Sequence, residues 1–114
     1  MRKLENLKHL LLLALILSLV GCMPLVFIIT PSDGEQFEVG ELILFTGYAR
    51  DLQEGEIPSA SLVWKSSIDG EIGTGLLLPA TLTEGEHVIT LTATNSKEEK
   101  GTATITITVV KGNG

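Results

Sequence analysis

The sequence predicts an all-β domain, an antiparallel β-sandwich of about seven short strands. Three observations predict it. Apolar and polar residues alternate with a period of two in the last third of the chain, the pattern of strands with one buried and one wet face. Turn residues (Pro31-Ser-Asp-Gly34, Asp69-Gly70, Glu84-Gly85) break the apolar runs at short intervals. Past residue 30, no segment keeps helical periodicity over two turns.

The N-terminus is a separate element. Arg2, Lys3 and Lys8 make a short basic head, and Leu10 to Val20 is apolar except for Ser18. A basic head, an apolar run and a small residue before a cut site predict a secretory signal peptide over residues 1–21. The competing reading is a transmembrane helix from Leu10 to Ile29, close to the roughly 20 residues a span requires. Gly21, Cys22 and Pro24 interrupt that run, and Val26, Phe27, Ile28 and Ile29 suit a first strand better. Either reading exports the rest of the chain.

The strands follow in order. Leu25 to Thr30 is the first, and the predicted domain runs from 25 to 111. Leu42 to Arg50 is the second, with Ile43, Phe45 and Ala49 facing in. Ser61 to Ser67 surrounds Trp64, and Leu76 to Leu82 holds one or two short strands. From His87 to Thr94, Ile89, Leu91 and Ala93 face in. From Thr102 to Val109, Ala103, Ile105, Ile107 and Val109 share one face and four threonines the other. Asn95 to Gly101, with Lys97-Glu-Glu-Lys100, is a charged hairpin tip, and residues 112–114 are a tail.

Composition narrows the function. Of 114 residues, 8 are basic and 14 acidic, giving a net charge of -6. Removing residues 1–21 leaves 93 residues and takes the charge to -8, because Arg2, Lys3 and Lys8 leave against Glu5. An acidic domain without clustered Lys and Arg argues against a nucleic-acid partner. The single cysteine excludes an intrachain disulfide. Gly70-Glu-Ile-Gly-Thr-Gly75 matches no phosphate-binding loop, no Gly-x-Ser-x-Gly elbow exists, and one mature histidine has no evident nucleophile. No catalytic residue, resident cofactor or metal is therefore expected.

Two resemblances add to this reading. Leu19-Val20-Gly21-Cys22 resembles the lipobox of bacterial lipoproteins. It implies cleavage between Gly21 and Cys22, a diacylglyceryl thioether on the Cys22 thiol and acylation of its freed amine. Residues 22–24 would then be a lipid-anchored N-terminus, with the membrane lipid as partner. Several acyl chains give stable anchoring where one is marginal. Met23, in the place where Asp would imply inner-membrane retention, implies the outer membrane in a Gram-negative cell.

The second resemblance is to immunoglobulin-like domains of the PKD-related kind. It is carried by Leu62-Val-Trp64-Lys-Ser-Ser-Ile-Asp-Gly70, Leu82-Thr-Glu-Gly85-Glu-His87-Val-Ile-Thr-Leu-Thr-Ala-Thr-Asn95 and the threonine-alternating last strand. It makes Trp64 the buried tryptophan of the third strand and puts His87 in the place of the corner tyrosine. Ile89 and the region of Ile43 stand where antibody domains place their disulfide. The expected structural core thus includes Trp64, His87, Ile89 and Phe45. Asn95 stands where the family often has Asp, which weakens a calcium-assisted hairpin.

The acidic loops, Asp33 with Glu35, Asp51 with Glu54 and Glu56, and Asp69 with Glu71, are the remaining candidates for calcium, against a default of solvated loop tips. The expected function is a non-enzymatic cell-envelope lipoprotein whose domain is an adhesive, structural or protein-binding module. The alternative is a carbohydrate-binding accessory module. Phe27, Phe37 and Tyr48 decide between them: clustered on one face they favour sugar, buried they favour the structural role.

Overall fold

The computed structural model describes residues 23–112. Nine strands form two facing sheets. They are β1 (Leu25–Thr30), β2 (Gln36–Glu38), β3 (Ile43–Asp51), β4 (Gly55–Glu56), β5 (Leu62–Ser66), β6 (Gly70–Thr74), β7 (Leu77–Ala80), β8 (Gly85–Thr94) and β9 (Lys100–Val110). A 3-10 turn at Ser59–Ser61 leads into β5.

In the first sheet β3 is central, with β1 along one side and β4 and β7 sharing the other. The second sheet has the order β2-β9-β8-β5-β6. All pairings are antiparallel except β2 with β9, which runs parallel in the register Gln36↔Thr108, Phe37↔Val109, Glu38↔Val110. The predicted sandwich is therefore the observed architecture, with three short strands, β2, β4 and β6, beyond the expected set.

The chain changes sheets between β1 and β2, and two bonds hold the crossover. Gly34 N–H donates to the Thr106 carbonyl at 2.7 Å, and Asp33 Oδ1 accepts Thr106 N–H at 2.8 Å. Gly34 does this at a φ of +84°, where a side chain would be strained.

The core follows from the alternation. Ile43, Phe45 and Ala49 on β3 face Leu62 and Trp64 on β5, Ile89, Leu91 and Ala93 on β8, and Ile107 and Val109 on β9, all buried. Trp64 and Phe45 touch with ring centroids 5.4 Å apart, and the Trp64 indole N–H donates to the Gly75 carbonyl at 2.9 Å. The polar tip of the largest buried ring is therefore paired, as burial requires. Gly47 lies over this cluster. A Cβ there would stand 2.6 Å from the Phe27 carbonyl oxygen, 2.7 Å from Leu91 Cδ2 and 3.3 Å from Trp64 Cη2.

Asp69-Gly70 reads as the turn of a tight hairpin, and the hairpin is there, although the sequence pattern assigns no strand to Gly70–Thr74. Gly70 and Gly73 are poor strand formers, but the hairpin pairs β6 with β5, and Gly73 leaves room for the Leu78 side chain to pack against it. A helix from Leu10 to Ile29 is incompatible with this fold, since Leu25–Thr30 is paired as β1. Among the described residues no helix is long and apolar enough to cross a membrane.

Candidate functional site: the outward face of the first sheet

The outer faces of the two sheets differ in chemistry. On the second sheet, Thr102, Thr104, Thr106 and Thr108 of β9 stand beside Glu86, Val88, Thr90 and Thr92 of β8. On the first sheet, the outward positions are mostly aliphatic or aromatic. Leu25 pairs with Arg50, Phe27 with Tyr48, Leu44 with Pro79 and Thr46 with Leu77. Paired side chains on one face stand about 5 Å apart, so these residues form one surface.

At its centre Phe27 and Tyr48 stack, with centroids 4.9 Å apart and planes inclined by 23°. They remain 43% and 38% exposed. Beside them, Leu25, Arg50, Asp51, Leu52 and Gly55 complete an open groove of about 450 Å³. Leu52, at the tip of the β3–β4 turn, is 78% exposed. Exposed apolar residues scattered singly are ordinary, but a contiguous set marks a contact surface.

The three aromatics named from the sequence separate. Phe27 and Tyr48 cluster at the surface, while Phe37 on β2 is 9% exposed and joins the core. The remaining face residues, Leu44, Leu52 and Leu77 among them, were not singled out. A signal was present, because β1 reads Leu-Val-Phe-Ile-Ile before Thr30 and so is apolar toward both sides. Among strands that otherwise alternate, such a run places apolar side chains outward.

The structure puts the other named residues elsewhere. Trp64, Phe45, Ile89 and His87 are all fully buried. His87 Nε2 is 2.7 Å from the Thr83 carbonyl oxygen, and its Nδ1 is 2.6 Å from Ser66 Oγ. A carbonyl only accepts, so Nε2 carries the hydrogen and Nδ1 accepts the Ser66 hydroxyl. Ser66 Oγ in turn accepts the amides of Ile68 and Asp69, each at 3.1 Å. The ring thus ties the start of β8 to the β5–β6 turn. The Ser66 hydroxyl and the ring lie buried, at 5% and 0% exposure, so this serine–imidazole bond is closed off from solvent.

The acidic loops are engaged with backbone amides and neighbouring side chains. Asp69 accepts Thr83 N–H at 3.0 Å and the Thr83 hydroxyl at 2.5 Å. The hydroxyl first, then the amide, holds its carboxyl below the usual range. Asp51 Oδ1 accepts the amides of Gln53 and Glu54, and its Oδ2 accepts Asn95 Nδ2 at 2.8 Å. The Asn95 bond is the largest cause of the lowered Asp51 pKa. Asn95 also caps its own hairpin, with Oδ1 accepting the amides of Lys97 and Glu99. Glu35 Oε2 accepts Ser32 N–H, and Glu54 Oε1 accepts Ser96 N–H. Among the described residues no three His, Cys, Asp or Glu side chains gather as a metal site. Gly21 and Cys22, the expected cleavage and lipidation residues, lie outside the described residues.

No protein-family profile matches this chain, and no curated protein matches its sequence. A solved structure does. The fibronectin(III)-like modules of Clostridium thermocellum CbhA superpose with a TM-score of 0.59, over 75% of this chain and 96% of theirs, at 20% identity. The fold is an immunoglobulin-like sandwich of the fibronectin(III) kind. At that identity the likeness establishes the architecture and leaves function to the residues themselves.

Proposed function

We propose that this chain is a cell-envelope lipoprotein whose single sandwich is a non-enzymatic structural and binding module. The observation that supports it best is the continuity between motif and fold. Cys22 of the lipobox-like motif is three residues before β1, so an acyl anchor there would hold the domain directly at the membrane surface. The relation to the PKD-related branch rests on the Trp64 and His87 motifs.

Labelled fatty acid should enter the wild-type protein and fail to enter Cys22→Ala; equal labelling of both would end the lipoprotein reading. The Phe27–Tyr48 stack favours a second reading, a carbohydrate-binding accessory module, because sugars stack on exposed aromatic rings. Under that reading, Tyr48→Ala should abolish retention on an oligosaccharide column.

A further inference from the structure

The exposed apolar face of β1, β3 and β7 needs a partner, and its position relative to Cys22 identifies one. We propose that this face lies against the lipid surface to which the chain is anchored, so that the first sheet is the membrane-contacting side and the threonine-lined second sheet faces outward. The proposal rests on the lipoprotein reading above and specifies its geometry.

Three observations carry it. The first is the short tether. Residues 23 and 24 are all that separate Cys22 from β1, so the anchor lies within about 10 Å of Leu25. Pro24 is buried, and its carbonyl oxygen lies where a Cβ on Gly101 would be. The tether is thus packed onto the sandwich, and the adjacent face is held at the bilayer at very high effective concentration.

The second is the composition of the face. Leu25, Phe27, Ile29, Leu44 and Leu77 are exposed aliphatic and aromatic groups. Tyr48 and Arg50 stand among them, with polar ends that reach headgroups and bodies that suit the acyl boundary. The pairs flanking the rings are Leu25 with Arg50 and Thr30 with Thr46, and the two threonine hydroxyls bond each other and the Leu44 carbonyl, which leaves few hydrogen-bonding groups for a sugar.

The third is charge. The mature chain is at -8, and on or beside the anchor-end loops Asp51, Glu54, Glu56, Glu98 and Glu99 outnumber Arg50, Lys97 and Lys100. Such a surface is repelled by anionic lipid, so the contact works through apolar burial on zwitterionic headgroups.

The test uses the acylated protein in phosphatidylcholine vesicles. Cys22 is the only cysteine and is blocked by its lipid, so one introduced cysteine can carry a spin label. Labels at Ile29→Cys, Leu52→Cys and Thr104→Cys are compared by collision with oxygen, which concentrates in the bilayer, and with a water-soluble nickel chelate. The label at 29 should shift toward oxygen and the label at 104 toward nickel. The double substitution Phe27→Ser, Tyr48→Ser should return the label at 29 to nickel, and added anionic lipid should do so in part. If 29 is as open to nickel as 104 while acylation and co-sedimentation persist, the face is free for a glycan or protein and the proposal fails alone. Protection at 52 without protection at 29 would mean an end-on stance and would also overturn it. Protection at 29 that vanishes on dilution in lipid would assign the face to a second copy. Absence of acylation would sink the proposal together with the reading beneath it.

Discussion

Gly47 is the position where one added methyl group should be felt in both the core and the outer face. Its Cβ would enter 2.6 Å from the Phe27 carbonyl oxygen and 2.7 Å from Leu91 Cδ2. The methyl of Leu91 can turn away, but the carbonyl belongs to β1 and moves only with its strand. Overpacking of this kind costs about 1–3 kcal/mol, with the upper part expected where backbone must shift. Against it, Gly→Ala gains about 0.4–1 kcal/mol by restricting the unfolded chain. The net for Gly47→Ala is then about 2 kcal/mol, against a total of about 5–13 kcal/mol for a domain of this size. At about 4–8 °C per kcal/mol, the midpoint should fall by about 8–16 °C.

Thermal melts followed by far-ultraviolet dichroism measure this, with exposed Thr104→Ala as the control, expected within about 0.5 kcal/mol of wild type. Leu91→Ala alone costs about 2–5 kcal/mol. Because the two residues collide, the double variant should lose less than the sum of the single losses. Sums that agree within about 0.5 kcal/mol would show no contact between the two positions and refute the packing argument.

The other expectations concern the loops and His87. Asp51 and Asp69 have pKa values lowered by Asn95 and Thr83 respectively, so the folded state favours their charged forms. Their stabilisation is complete above the ordinary carboxylate range, about pH 4, and is lost as pH falls through the lowered values. Urea midpoints should therefore drop more steeply in acid for wild type than for Asp51→Asn or Asp69→Asn; parallel curves would contradict this. His87→Phe removes the bonds to the Thr83 carbonyl and the Ser66 hydroxyl and should cost about 1–3 kcal/mol, read from urea unfolding by Trp64 fluorescence. Asn95→Asp would set a third carboxylate beside Asp51 and Glu99, now 2.8 and 3.0 Å from its amide nitrogen. It should lower the melting midpoint in chelator and regain part of it in calcium, while the wild-type midpoint stays the same in both.

Strand pairing with one wet face was the legible part of this fold. β8 and β9 show it most clearly, because threonine and aliphatic side chains alternate for six residues in β8 (Ile89–Thr94) and eight in β9 (Thr102–Val109). The three-residue β2 was not legible, since it pairs with residues more than 70 positions later and has no pattern of its own length. β6 was hidden by its two glycines. At the candidate site, Phe27 and Tyr48 could be named from the sequence, but their stacking depends on the β1–β3 register, which hydropathy does not fix. The Asp51–Asn95 bond joins loops 44 residues apart and is likewise a product of topology. That the His87 ring would bond backbone at a strand corner was legible, and the Thr83 carbonyl is that partner; Ser66 was not, because a serine gives no sequence signal of what it will meet.

The two ends of the domain lie at opposite poles. Pro24 sits beside Gly101, where β9 begins, whereas Val110, where β9 ends, pairs with Glu38 at the far side. A pull between an anchored Cys22 and anything attached beyond Gly112 would run along the strands. The ladder bonds of β1 to β3 and of β2 to β9 lie across that line and would be strained together, in shear, instead of opening one by one like a zip. Under such a pull the two ladders would share the load.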